Sequence, residues 1–515
     1  MKTSRFRRCK CLLKLLTALS MITLAGSADL LAKTYTWQGG ARGGAGTDQK
    51  NLFKAGNWSP NGFSADNSDL IFTNANASSS LVLDVSSSAT LNSITFGEGA
   101  LSFTLTNSTS LLTLNGGTNI TDNSTNLETL AVGIALAGDS VWNTGAGAQL
   151  LVSGNISQVG STPFGITKIG NGMLTLSGVN TYTGGTTLSG GVMTLSGVAA
   201  TLGSTNSSVT ISSGTLDLGG FNRTNSSLTM NAGALTNGTL NAATYALNGG
   251  IVHANLGAGI INIGGNVTLT GTAAATRVNI NSGTMILGGT NRLLSNATVA
   301  LSNVATLNLG GYNQTLAGLS GSGSVTNSAG TLTLNATSGT VIYGGSITGS
   351  GNILKSGSFT QMLTGISAYS GTTMVTGGSL SLGTTGRLTQ TASLTVTNGA
   401  TLLLGSTQAN SINTNAALNL GGGQLSMGGA GVGVNRAGGQ TFASLTLTAN
   451  SSIDFTTLSG TSSLYFSTIS GLSTYTLSIF NWNGTNLYGQ SSATGGANQF
   501  TRLYAATDGS FASAL

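Results

Sequence analysis

Gly165-Ile-Thr-Lys-Ile-Gly-Asn-Gly-Met-Leu-Thr-Leu-Ser-Gly-Val-Asn-Thr-Tyr-Thr-Gly-Gly-Thr-Thr-Leu-Ser-Gly-Gly191 has the composition of strands joined by tight turns. In its centre, Gly172-Met-Leu-Thr-Leu, the leucines Leu174 and Leu176 flank Thr175. Residues two apart in a strand share a face, so the leucines point into a core and the threonine points out. The pattern returns without a gap from Asn352 to Gly378, where Lys168, Gly170, Gly178, Tyr182, Gly184 and Gly190-Gly191 fall on Lys355, Gly357, Gly365, Tyr369, Gly371 and Gly377-Gly378. The second copy lacks the second glycine of the Tyr-Thr-Gly-Gly step.

The strand unit itself recurs far more often. Gly191-Val-Met-Thr-Leu, Gly214-Thr-Leu-Asp-Leu, Gly283-Thr-Met-Ile-Leu, Ala305-Thr-Leu-Asn-Leu, Gly330-Thr-Leu-Thr-Leu and Gly378-Ser-Leu-Ser-Leu all repeat it. The steps are 19 residues from Leu174 to Met193, 23 from Met193 to Leu216, 22 from Met285 to Leu307 and 25 from Leu307 to Leu332. Such a spacing is a coil period. One strand of this kind cannot bury its apolar face alone, so neighbouring coils must stack and share a continuous core. The expected fold is all-β, a right-handed parallel β-helix (β-solenoid) with an N-terminal cap; a β-sandwich array with regular turns is the alternative. Glycine pairs at Gly219-Gly220, Gly288-Gly289 and Gly310-Gly311 suit corners with positive φ. Asn222 and Asn313 are expected to stack as ladders between coils.

On these residues the chain resembles the passenger-associated transport repeat of bacterial autotransporters, an autotransporter-associated β-strand repeat. The resemblance implies export, a β-solenoid passenger and a repeat that assists passage across the outer membrane. Residues 35 to 72, with Trp37-Gln-Gly-Gly and Asn57-Trp58, are similar to the lead-in of such proteins, and Asn481-Trp482-Asn-Gly484 followed by Asn498-Gln-Phe500 is similar to their last coils. Relatives continue into a membrane barrel or a sorting tail. Here the sequence stops at Leu515 with neither, so the expectation is either a released product or a truncated chain.

Composition agrees with export. Lys2, Arg5, Arg7, Arg8, Lys10 and Lys14 precede the apolar run Leu15 to Ala25 and the small residues Gly26-Ser27-Ala28, which together read as a secretory signal peptide. The apolar run is shorter than the roughly 20 residues a bilayer span takes. Cleavage after Ala28 removes six of the 18 basic residues and leaves twelve against 12 acidic ones, so the formal charge of +6 belongs to the leader. A nucleic-acid reading then loses the clustered cations it needs. Cys9 and Cys11 leave with the leader, and the mature chain holds no disulfide. Charged residues are 6% of the chain, against about 25% in typical domains. With 39% hydrophobic residues, 79 Gly and only 2 Pro, the rest suits stacked strands better than a disordered linker.

Little points to chemistry. His253 is the single histidine, and a metal site needs several ligands. It has no Gly-x-Ser-x-Gly elbow to serve. The acids of the repeat region are Asp122, Glu128, Asp139 and Asp217, with nothing further until Asp454. Asp66 and Asp69, three apart, are the best candidates for paired carboxylates in glycoside hydrolysis and read more simply as a solvated turn. Gly428-Gly-Ala-Gly-Val-Gly433 neither follows a βαβ unit nor opens a helix, so it is not a phosphate loop. Trp37, Phe53, Trp58 and Phe72 have the bulk to cap an open coil end; a carbohydrate-stacking platform is the alternative for the tryptophans.

The expected organisation is residues 1–28 as signal peptide, 29–100 as cap and first coils, 101–450 as solenoid with its best repeat copies at 165–197 and 352–383, and 451–515 as last coils. The expected protein is a secreted or cell-surface structural solenoid and not an enzyme. An adhesin or carbohydrate-binding surface protein is the alternative, and a polysaccharide-degrading β-helix ranks below it. Expected partners are the export machinery of the inner and outer membranes and, on the adhesin alternative, surface glycans or other cells, with nucleic acid excluded. No catalytic, cofactor-binding or metal-ligating residue is assigned, and no cofactor.

Overall fold

Strands of two to twelve residues alternate buried and half-exposed positions along most of the described chain, and nearly all find their partners one coil away rather than in a hairpin. The structure is a computed structural model that describes residues 33–38, 51–60, 66–73, 81–428, 439–455, 464–480, 487–491 and 503–506. Residues 1–28, expected to be a signal peptide, Trp482 with its Asn-Gly step, Asn498-Gln-Phe500, and Gly429 to Gly433 lie outside the described residues. The molecule is a parallel β-solenoid of about 18 turns. Its strands form a 36-stranded sheet, a 3-stranded one and a 9-stranded one. Among these strand pairs only Lys33–Trp37 with Trp58–Ser59 runs antiparallel. No described helix is long and apolar enough to cross a membrane.

The coil period places like on like. One interior row runs Leu150, Leu174, Met193, Leu216, Leu235, Val252, Leu269 and Leu287, each in register with the next and all buried. Burying side chains of this size gains roughly 1.5–3 kcal/mol each, and rows of this kind join into one core cluster from Tyr35 to Ile479. The outward positions between them are small and polar; Thr167, Thr187, Thr210 and Thr229 form one such row.

Two local expectations are corrected. Leu307 pairs with Val325 and then Ile347, while Leu332 lies in register with Gln314 on the 9-stranded sheet. The step of 25 residues therefore joined strands on different faces. A Thr-Leu-Thr-Leu unit fits any face, because alternation alone says only which side chains go in. The asparagine ladders also sit elsewhere. Asn222 is in register with Thr239, and Asn313 accepts from the Thr331 amide. Asparagine stacks on asparagine at Asn67, Asn92 and Asn115, at Asn231 and Asn248, and at Asn262 and Asn279. Of the glycine pairs, Gly219-Gly220 and Gly310-Gly311 have positive φ, whereas Gly288-Gly289 are not among the residues with positive φ.

At the N-terminal end the aromatic residues pack inward. Trp37 meets Trp58 edge-on at 5.1 Å, Trp58 meets Phe72 at 5.5 Å, and Phe72 stacks on Phe96 at 5.1 Å. Both tryptophans are only 1% exposed, and the Trp58 ring nitrogen donates to the Leu52 carbonyl at 2.7 Å. A ring so enclosed has no free face for a sugar, which removes the platform alternative for these two residues.

Candidate functional site

The repeats quoted from the sequence are built around a buried cation. In a strand that alternates in and out, Lys168 falls on an inward position in register with Trp142 and Leu188, and Lys355 falls on one in register with Leu334 and Val375. Both side chains are fully buried. Lys168 Nζ donates to the carbonyls of Ile169, Gly170 and Gly190 at 3.1, 2.9 and 3.0 Å. Lys355 Nζ donates to those of Gly357 and Gly377 at 2.5 and 2.9 Å and stands 4.1 Å from the Phe359 ring centre. Each ammonium thus ties the corner of its own coil to the corner of the next, satisfying carbonyls that the turn leaves without ladder partners. Burial lowers both lysines from 10.5 to about 8.

The rest of the repeat motif serves the same corner. Gly191 and Gly378 hold φ of 63° and 58°, and a Cβ on either would run into the backbone of the coil below, at Gly172 and Phe359 respectively. The tyrosine of each copy is buried with its hydroxyl against a threonine four residues on, Tyr182 on Thr186 at 2.6 Å and Tyr369 on Thr373 at 2.5 Å. Burial raises both phenols, Tyr369 to about 12.

Other interior polar groups repeat the device with different chemistry. The Arg223 guanidinium is enclosed by the carbonyls of Gly197, Val198, Ala200 and Leu218. Gln314, Gln361 and Gln440 each accept a backbone amide from another coil and donate back to the carbonyl of that same residue, Leu293, Leu319 and Ile412 respectively. No role for Arg223 or for these three glutamines follows from their residue types alone. A sequence signal exists for some of them: Lys168 and Lys355 align, and Arg223 and Gln314 hold the same place in Thr215-Leu-Asp-Leu-Gly-Gly-Phe-Asn-Arg-Thr224 and Thr306-Leu-Asn-Leu-Gly-Gly-Tyr-Asn-Gln-Thr315.

The acids and the histidine are dispersed. Asp69 accepts from Ser93, Asp139 from the Gly165 amide, and Asp217 from the Gly219 amide and Asn237. His253 is exposed, with Nδ1 2.8 Å from the Thr270 hydroxyl on the next coil. Among the described residues no three of His, Cys, Asp or Glu gather. Asp122 and Glu128 are different, being fully buried on either side of one corner.

A family model described as passenger-associated-transport-repeat matches residues 166–195 and 353–382. The chain carries two passenger-associated transport repeats. Each match begins two residues before the buried lysine and ends on a leucine, Leu195 or Leu382, four residues past the corner glycine Gly191 or Gly378. No curated protein and no solved structure matches the chain. Transport repeats set in a β-solenoid fit an autotransporter passenger-like protein.

Proposed function

We propose that the protein is an exported passenger whose transport repeats assist its passage across the outer membrane and its folding outside the cell. The observation that carries this reading is the double match to the transport repeat. Three physical features support it. The chain after residue 28 is formally neutral and free of cysteine, so it crosses without charge clusters or disulfides to undo. Each coil pairs only with its neighbours, which permits folding coil by coil as the chain emerges. The lysine contacts bridge consecutive coils, so a repeat is completed only when the next coil has arrived.

Deleting residues 166–185 removes one coil and brings Thr186 to the register position of Ile166. Export in the native host, followed by fractionation and intact mass, is expected to fall for this variant while the purified variant stays folded. Undiminished export of the deleted chain would remove the transport role. Equilibrium unfolding in denaturant is expected to pass through states with part of the coils folded, and strict two-state behaviour would count against stepwise folding.

A further inference from the structure

The interior row that holds Leu150, Leu174, Met193 and Leu216 begins, one coil earlier, with Glu128. The parallel row at the other side of the same corner runs Phe72, Phe96, Asp122 and Thr144. Two carboxylates thus occupy core positions on a single coil, above Phe96 and Phe103 and below Thr144 and Leu150. Both are fully buried, and among the described residues no basic side chain pairs with either. Each uses one oxygen on the backbone: Asp122 Oδ1 accepts the Ser124 amide at 3.0 Å and Glu128 Oε2 the Phe103 amide at 2.7 Å. Asp122 Oδ2 has no hydrogen-bond partner; Glu128 Oε1 has none either while the Ser124 hydroxyl, the one side-chain donor close to the Glu128 carboxylate, is given to the Ala100 carbonyl. Independently, the hydroxyl of Thr144, fully buried and in register directly over Asp122, has none either. Ser124 lies between the carboxylates, with its hydroxyl on the Ala100 carbonyl.

An unpartnered ionised carboxylate in a core is costly, and a second charge of the same sign across the corner, Asp122 on Glu128, adds to that cost. Three orphaned oxygens from two coils are an arrangement that a hard cation completes, since such ions take oxygen ligands alone. A charge of +2 balances the two carboxylates. We propose that Asp122, Glu128 and Thr144 form an internal site for a divalent hard cation of the calcium class, captured as the coil of residues 140–152 closes over that of residues 117–136. The ion then locks the first regular coils onto the aromatic cap. This inference is independent of whether the protein is a transported passenger.

The test uses the full chain, refolded from denaturant at pH 8 in Ca2+, in Mg2+ or in EDTA. The expected results are one Ca2+ per chain by native mass spectrometry and a melting temperature about 5 °C higher in Ca2+ than in EDTA. Mg2+, which demands stricter octahedral geometry and dehydrates reluctantly, is expected to give less. The isosteric double variant Asp122→Asn/Glu128→Gln is expected to bind no Ca2+ and to melt at one temperature in all three buffers. Absence of bound Ca2+ together with equal melting of the native chain in Ca2+ and EDTA overturns the proposal. In that case a gain in stability on acidification alone assigns a proton to the carboxyl pair instead. The mass measurement on the native chain decides even if the double variant does not fold.

Discussion

The two transport repeats, 166–195 and 353–382, share an interior and differ in their exterior. In the first, Gly165 and Gly185 lie back to back on adjacent coils, so close that a Cβ on Gly165 would sit 2.6 Å from the Gly185 carbonyl oxygen. In the second, the same two places hold Asn352 and Thr372, and the Asn352 Oδ1 accepts both the amide and the hydroxyl of Thr372 at 2.9 and 3.0 Å. The missing glycine of the second copy is therefore a substitution of one coil-to-coil contact for another. Inside, the lysine and the tyrosine with its threonine are kept. One interior detail varies: Gly172 of the first copy is Phe359 in the second, which gives Lys355 an aromatic face where Lys168 has a third carbonyl. The exterior corner is open to solvent and tolerates either solution. The enclosed corner must satisfy each carbonyl, which few side chains are long enough and rich enough in donors to do.

The largest effect is expected from Gly191→Val or Gly378→Val. Both force a β-branched residue into positive φ against backbone, at about 3 kcal/mol. Urea midpoints followed by circular dichroism should drop for both, and a drop in only one copy would break the equivalence of the two corners. Next come the lysines. Lys168→Met leaves three carbonyls without donors and is expected to cost about 2–3 kcal/mol; Lys355→Met leaves two and keeps a sulfur contact to Phe359, at about 1–2 kcal/mol. Equal losses would show that the Phe359 ring contributes nothing.

The same lysines give a pH signature. Their folded value of about 8 lies below 10.5, so between these values the unfolded chain binds more protons than the folded one. Stability rises with pH across that window, and the cost of the buried charge is fully present below it. Asp122 and Glu128 act oppositely in the absence of divalent ions. Burial pushes them up to about 6 and about 7, so stability falls as pH rises from the ordinary carboxylate range through those values. In EDTA the urea midpoint is expected to be lowest between pH 7 and 8, and the recovery above pH 8 should vanish in Lys168→Met/Lys355→Met. A midpoint that is flat from pH 7 to 10 in the native chain would contradict the burial of these ammonium groups.

The smallest and sharpest test converts one exterior into the other. Gly165→Asn alone presses a side chain onto Gly185 and is expected to cost about 1–2 kcal/mol. Adding Gly185→Thr supplies the donors that Asn352 meets in the second copy, at the cost of shifting the Ser208 hydroxyl that its Cβ would approach to 2.8 Å, and should recover about 1 kcal/mol. Additive losses in this double-mutant cycle would show that the two exteriors are not interchangeable.

Much of the architecture was legible in the chain because alternation and a glycine-punctuated period are one-dimensional signals. Leu174 and Met193, and Met193 and Leu216, pair as their spacing implied. The Leu307 to Leu332 step failed because the same signal is written identically on each face of the solenoid. The aromatic lead-in was legible as a cap from its bulk, although which rings touch was not. The interior polar groups were least legible. Lys168, Arg223, Gln314 and Glu128 occupy positions where the pattern asks for leucine, and nothing in a strand of alternating residues says whether such a residue turns in or marks a solvated edge.

By itself, then, the sequence determined the strand content, the coil period, the all-β class and the two transport repeats, since these depend on which residues are large, small or glycine along a line. Only the tertiary structure decided which face each strand joins, which asparagines stack, and that two lysines and two carboxylates lie in the core. Those outcomes depend on the residues one coil above and below, about 4.8 Å away in space and some twenty along the chain, and burial there turns an ordinary charged side chain into a group that must find its counter-atoms.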